Sequence, residues 1–407
     1  MQGRSLKVAF ARGDVTPESP CRMGGYNRAG LSEGVLDPIQ INVVAVQIDG
    51  VPFLLIVLDS IMVSEEFALQ VQARVGGSCG IPMAHIVTCA IHTHSAPAFF
   101  KLAFEDVAAE NGLTGGLLER AVTLASQAWH NMRPAACEME RMEVEGLYGN
   151  RNVHDGPADK TCTVMTFTEP DGTVMGKLLN ISVHPTILDG SNRTLSADLI
   201  GQTRMRLEDA WGCPVVCTNG TCGDVSTRFY RQGSGVSELM RTAEELALQI
   251  EGRLAPVPLN GGAPVSGEIR MPTVYDAWKD EDCERALKEA EFDSSKPWNA
   301  FIVERIALKR RLSPIKMTLI SRYMVVGNLV VITMPCDTCS ALGLEIKRAF
   351  EDREVVIIGY ANAYCNYLVP QEDYGKYFET MNARTARGQA DCFVRRVIDA
   401  VRTALTA

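Results

Sequence analysis

Histidine is scarce in this sequence, six residues in 407, and long apolar runs and clustered basic charge are scarcer still. The longest apolar stretch, VPFLLIVLDSIMV at 51–63, is broken by Asp59 and is too short to span a bilayer. The N-terminal MQGRSLKVAFARGD has no apolar signal core followed by a small-residue cleavage site, so a cytoplasmic location is expected. Forty Lys and Arg stand against forty-nine Asp and Glu, a net charge of −9, and no basic stretch is interleaved with aromatics. That balance argues against a nucleic-acid partner, which would need cations along a phosphate backbone. There is no Walker A string, dinucleotide glycine fingerprint or H-E-x-x-H, and no repeat at solenoid or propeller spacing.

What remains is an ordinary globular composition, 46% hydrophobic and 22% charged, with thirteen cysteines. Without an export signal these are expected to be reduced and mostly buried. Continuous apolar runs at 6–12, 41–48, 53–58, 85–90, 161–167, 176–183, 214–218 and 329–334 suit strands covered on both faces. Between them lie helical stripes, such as Leu239, Ala243, Leu246 and Ile250 at spacings of four, three and four. Further helices are expected near 65–75, 115–132, 198–211, 281–292, 339–350 and 389–405. Interleaved helices and strands predict an α/β or mixed α+β fold, with mixed β-sheets flanked by helices. The Pro/Gly stretch at 255–265 marks a seam within one domain spanning 1–407.

The six histidines are unevenly placed. His92 and His94 sit in CAIHTHSAP, directly after a strand-like run, and residues two apart in extended backbone point to one side. That spacing can present two metal ligands, or one ligand and a neighbouring donor. His184 ends NISVHPT, where Pro185 stops strand pairing. A third string, TNGTCGDVSTRF at 218–229, packs Gly220, Gly223, Asp224 and Ser226 into a tight loop whose backbone and hydroxyl can face a ligand. It does not match the nucleophile elbow G-x-S-x-G.

Taken together, these strings resemble the neutral ceramidase family, zinc-dependent amidases that cleave the N-acyl bond of ceramide. The opening GDVTPESPCRMGGYNRAG followed by LDP, then HTHSAP, NRNV, SVHPTILDG, GDVSTR, TMPCD and NAYCNYLVPQEDY, run in the family's order over nearly the whole chain. The resemblance implies the ceramidase catalytic fold, with Zn2+ held by His92, His184, Asp337 and Tyr367. It places His94 beside the metal for hydrogen bonding or proton transfer. Arg151 would orient substrate or stabilise the oxyanion, with Asn150 beside it in the same string. Ser226 would be nucleophile or carbonyl-positioning group, and Tyr377 an oxyanion donor. Asp198 and Asp224 are the candidate acceptors behind the histidines.

Three departures bear on substrate. The family's acidic ligand is usually Glu, whereas PCD offers the shorter Asp337, flanked by Cys336 and Cys339, which could substitute. GDVSPN has become GDVSTR, adding Arg228, a guanidinium suited to a carboxylate or phosphate. The extra C-terminal β-sandwich and the export signal of the sphingolipid-cleaving members are missing, and no amphipathic basic helix offers a membrane entry surface. The expected activity is therefore hydrolysis of a C–N amide bond in a small soluble amide or N-acyl metabolite. True ceramidase activity is the alternative, followed by a non-catalytic binding protein or a thiol enzyme using Cys217, Cys222 or Cys336. Homo-oligomerisation is left open.

Overall fold

The computed structural model describes residues 4–101, 111–289 and 297–406. Its organising unit is a pattern used three times: an antiparallel hairpin, a crossover helix, and a strand that returns parallel to the hairpin's second arm. In the first unit Gln40–Ile48 and Val51–Leu58 form the hairpin, Glu65–Cys79 the helix and Ile86–Ala90 the returning strand. In the second these are Thr161–Thr168, Val174–Ile181, Asp198–Trp211 and Val215–Asn219. In the third they are Ile315–Val326, Leu329–Thr333, Ser340–Arg348 and Glu354–Ile358. Outer antiparallel strands complete the sheets: Leu6–Asp14 and Arg133–Pro134 on the first, Ala136–Glu143 and Ala255–Val257 on the second, Val265–Tyr275 on the third.

Local chemistry accounts for the units. Two hairpins turn on Asp-Gly, at 49–50 with both residues at positive φ and at 171–172 with Gly172 at φ 90°, and the third on Gly327-Asn328 with Gly327 at φ 59°. These turn residues match the right-handed twist of the strands they join. The first crossover helix starts at Ser64, whose hydroxyl accepts the Phe67 amide at 3.2 Å, and ends at Gly80 in the left-handed conformation. Phe67, Val71 and Val75 form its buried stripe. The second is bounded as the sequence predicts, and the glycine after it, Gly212, is again left-handed.

The mixed sheets and flanking helices agree with the predicted class. The largest core cluster joins Ile56, Leu179 and Val356, so apolar packing runs through all three sheets and across the seam at 255–265. The strands Ala136–Glu143, Val265–Tyr275, Ile315–Val326 and Glu354–Ile358 and the helices Pro297–Arg310 and Phe378–Asn382 were not expected. Ala136–Glu143 shows why: charged residues separate its buried Cys137, Met139 and Met142, so no continuous apolar run marks it. The helix expected at 281–292 is seen as Asp280–Glu289, and its last positions lie outside the described residues.

One expectation is overturned. Cys336 and Cys365 form a disulfide, with Cα atoms 5.4 Å apart, whereas all thirteen cysteines were expected to be reduced. The pair staples the segment carrying Asp337 to the segment carrying Tyr367. It removes Cys336 as a metal ligand or nucleophile, and it withdraws the support that reduced thiols gave to a cytoplasmic location. No described helix is long and apolar enough to cross a membrane.

Candidate metal centre and its cleft

Each unit ends two parallel strands side by side, and the chain leaves them toward one place. His92 and His94 follow Ile86–Ala90, His184 follows Val174–Ile181, Ser226 follows Val215–Asn219, Asp337 follows Leu329–Thr333, and Tyr360, Tyr364 and Tyr367 follow Glu354–Ile358. Crevices at the carboxyl ends of parallel strands are where open α/β sheets bind ligands. Here the crevice is a cleft of about 920 Å³ lined by residues of all three units.

The ligating nitrogens of His92, His94 and His184 all lie within 4.8 Å of one another. The reason for convergence differs from the one the sequence suggested. The strand ends at Ala90, and His92 adopts the left-handed conformation at φ 71°, so the two rings are not side by side on extended backbone. Instead each ring is aimed by its Nδ1, which donates to a carbonyl: His92 to Ile61 O at 2.6 Å, His94 to Gly25 O at 3.0 Å, His184 to Cys222 O at 2.7 Å. With Nδ1 protonated, every Nε2 presents a lone pair. His92 Nε2 lies 3.1 Å from that of His184 and 3.2 Å from that of His94. Burial pushes the His92 pKa down to about 3 and holds His94 and His184 well below the usual range, so no proton relieves the clash. Three neutral imidazoles with lone pairs aimed at one point are a donor set that a cation fits.

Asp337 borders this cluster, fully buried, with Oδ1 3.2 Å from His92 Nε2 and 3.6 Å from His184 Nε2. Tyr360 donates to Oδ1 at 2.6 Å and Tyr364 donates to Oδ2. Burial raises its pKa to about 7 against those two hydrogen bonds. Tyr360 also stacks on the His92 ring at 4.2 Å. Tyr367 bridges to Asp337 through a short parallel pairing, its ring is parallel to His184, and its hydroxyl accepts from Arg151 at 3.1 Å. Arg151 is in turn held by Glu379, whose Oε1 accepts from its Nε at 2.8 Å.

Arg151, Ser226, Arg228 and Tyr377 line the cleft with the histidines and Tyr367. Asn150, Asp224 and Asp198 do not, and their expected roles are corrected. Asn150 spends its amide nitrogen on Pro157 O and Asp224 and its oxygen on the amides of Asn152 and Val153, so it shapes the turn that presents Arg151. Asp224 accepts the Ser340 amide at 2.6 Å, anchoring the N-terminus of Ser340–Arg348. Asp198 binds the amides of Ile187, Leu188 and Leu199, and the Nδ1 atoms of His92, His94 and His184 all meet backbone carbonyls in place of a carboxylate. The cysteines are no better placed: none lines the cleft, and burial pushes Cys217 to about 12 and Cys222 higher, so neither supplies a thiolate.

The sequence reading missed Glu379, Tyr360, Tyr364 and Arg231. Tyr364 falls in the string NAYCNYLVPQEDY, but nothing in it said which hydroxyls would meet Asp337, and Tyr360 lies just before it. Glu379 lies in the short helix Phe378–Asn382, too brief for a periodic signal.

No family model matches the sequence. Solved structures that share its fold include two ceramidases. The neutral ceramidase from Pseudomonas aeruginosa superposes with a TM-score of 0.76 at 18% identity, covering 97% of this chain and 74% of that one. A ceramidase complexed with C2 gives 0.75 at 17% identity, over 98% and 75%. This chain therefore has the neutral ceramidase-like fold, matched to about three quarters of each neighbour's length.

Proposed function

We propose that the protein is a metal-dependent amidohydrolase that cleaves the C–N bond of a small soluble amide or N-acyl metabolite. The observation that carries this reading is the convergence of three neutral Nε2 atoms, from buried His92 and His184 and half-buried His94, beside a buried carboxylate in the lining of a cleft. His92, His94 and His184 would hold the ion, with Asp337 closing the set. Imidazole and carboxylate donors suit zinc. His94 is thus assigned to the ligands, since its Nδ1 is committed to Gly25 and its Nε2 to the cluster. Two solved neighbours bearing the name ceramidase support amide chemistry.

Bound zinc supplies Lewis acidity, polarising an amide carbonyl and acidifying water. The chain's own groups supply the rest. Burial holds the Tyr367 hydroxyl well above its ordinary pKa, so it remains a donor, and the Arg151 guanidinium beside it polarises it. Together with the half-buried Tyr377 they can meet the negative charge of a tetrahedral intermediate. Glu379 fixes Arg151 in place before substrate arrives, which lowers the reorganisation needed at the transition state. Ser226 accepts the Arg228 amide at 3.2 Å, leaving its own hydrogen to donate toward the cleft. It is proposed as the nucleophile or the group that positions the scissile carbonyl.

The test is a hydrolysis screen with zinc-loaded protein against N-acyl amino acids, lactams, simple esters and short-chain and long-chain ceramide, read by amine release, with metal content measured in parallel. Less than about one zinc per four chains after metal-replete expression would remove the metalloenzyme reading. Preference for long-chain ceramide would replace the small-amide substrate with the lipid.

A further inference from the structure

Apart from the histidines, the most uneven property of the cleft is its charge. Arg151, Arg228, Arg231, Arg305 and Lys376 line it against Glu304. Glu379 does not offset them all, because Arg151 Nε and Asn152 Nδ2 occupy its two oxygens. Arg228 and Arg231 stand on one turn directly after Ser226, in which the amides of Tyr230 and Arg231 both close on Thr227 O. Arg231 is half-buried and gives one N–H to Thr186 O at 2.7 Å; Arg228 is exposed and gives one to Arg151 O at 3.3 Å. A guanidinium has five N–H donors, so one carbonyl bond orients each side chain and leaves most of its donors for something else. Neither has a carboxylate at ion-pair distance among the described residues, whereas Arg151 beside them is matched to Glu379 at 2.8 Å. Partial desolvation of its head group and the charges of Arg151 and Arg231 push the Arg228 pKa down, with Glu379 opposing them. Tyr26 links this patch to the reaction centre: its ring lies 5.0 Å from that of His94, and Arg231 and Arg151 act electrostatically on its phenol.

We propose that Arg228 and Arg231 form a subsite for an oxyanion carried by the substrate, a carboxylate or a phosphate, one tyrosine ring away from the histidine cluster and so close to the scissile amide. The proposal rests on the amidohydrolase reading and narrows its substrate class to anionic N-acyl compounds. Paired guanidiniums favour such a group by bidentate, charge-assisted hydrogen bonds that a neutral amide cannot form.

The probe set is N-acetyl-phenylalanine, its phosphonate analogue, and N-acetyl-phenethylamine, which is the same molecule without the anion. Zinc-loaded protein should release amine from one of the anionic probes with kcat/KM at least about tenfold above the neutral one, the scale of a charged hydrogen bond, carried mainly by KM. A larger advantage for the phosphonate assigns the site to phosphate, and for the carboxylate to an amino-acid carboxylate. Arg228→Gln and Arg231→Gln should each cut the anionic-to-neutral ratio about tenfold. Equal rates on all probes, or a ratio unchanged in both variants, overturns the subsite while leaving the amidase standing. Calorimetric titration of N-acetyl-phenylalanine covers the converse: no turnover of any probe, with binding that Arg231→Gln abolishes, keeps the subsite and removes the amidohydrolase reading. Neither turnover nor binding removes both.

Discussion

Gly25 positions His94 twice, and replacing it by alanine tests the metal centre without touching a ligand. Its carbonyl accepts His94 Nδ1 at 3.0 Å, and its φ of +92° lets the ring lie directly against the backbone. A Cβ placed there would stand 2.7 Å from Cβ, Cγ and Nδ1 of His94. The ring must then withdraw by roughly 0.7 Å to regain an ordinary contact, while metal–ligand distances tolerate only about 0.2 Å. The left-handed backbone itself costs a side-chain-bearing residue about 1–2 kcal/mol. Gly25→Ala should therefore lower unfolding free energy by about 1–3 kcal/mol and zinc affinity about ten- to hundredfold, the usual loss when a group orienting a ligand is disturbed. Competition against a fluorescent zinc chelator reads the affinity, and urea denaturation of the metal-free protein reads the stability. Gly24→Ala is the control, because its Cβ meets only Ile61 Cγ2 at 3.4 Å and its φ is not left-handed. Wild-type zinc affinity in Gly25→Ala would refute the claim that Gly25 sets the third nitrogen.

Removing a ligand separates chemistry from support: His92→Ala and His184→Ala should abolish both zinc content and hydrolysis, whereas Ser226→Ala should lose hydrolysis and keep zinc, and retained turnover in Ser226→Ala demotes that residue to structure. A chelator should stop turnover and zinc should restore it, while iodoacetamide should leave it intact; the opposite pattern revives a thiol enzyme. Arg204 and Asp59 form a bidentate pair at 2.8 Å with both side chains sealed from water, so Arg204→Met should cost about 3–5 kcal/mol by stranding the carboxylate, and Arg204→Met with Asp59→Leu should recover much of it in urea titrations. Burial, then the charges of Arg305 and Arg384, lowers the Lys309 pKa from 10.5 to about 7. Between those values the unfolded chain binds the proton that the folded chain does not, so this group makes stability rise with pH from about 7 upward and adds no slope well below 7. Lys309→Met should flatten that rise in Tm measured from pH 7 to 9.5, and an unchanged slope would remove Lys309 as its source.

The fold class was legible because buried parallel strands advertise themselves as apolar runs, and the sequence placed all but one of the six unit strands beside the cleft, missing Glu354–Ile358. Strands with one face in water were harder, as Ala136–Glu143 shows, since outward charges interrupt the apolar run. The three-unit plan left a trace that composition could not reveal: Asp-Gly, Asp-Gly and Gly-Asn at the hairpin tips. At the site, the histidines were found because polar residues ending apolar strands are conspicuous. Their supports were not, because Ile61, Gly25 and Cys222 act through carbonyl oxygens, and a backbone acceptor has no signature in residue type. Assigning Asp198 and Asp224 to that task applied the common carboxylate pattern where the fold had closer acceptors. The disulfide was hidden for a similar reason: 29 residues separate its cysteines, and only the pairing of Asp337 with Tyr367 brings them together.

The strain in the backbone indicates what that pairing is for. Three site residues other than glycine sit at positive φ: His92 at 71°, Tyr360 at 54° and Asn366 at 61°. Such conformations cost on the order of 1 kcal/mol or more each and persist only where the surroundings leave no alternative. Two are held within their own unit and one across units. The His92 amide is held by Ser60 O, Tyr360 O accepts the Ala90 amide, and Asn366 O accepts the Asp337 amide. The third unit is also tied to the other two, since the Gly359 amide donates to Asn219 O beside the Tyr360–Ala90 bond, and the held conformations turn His92, Tyr360 and Asp337 toward one point. A site built this way is stiff before any ion arrives, and three lone pairs held at close range gain most from a cation when the chain cannot relax them apart.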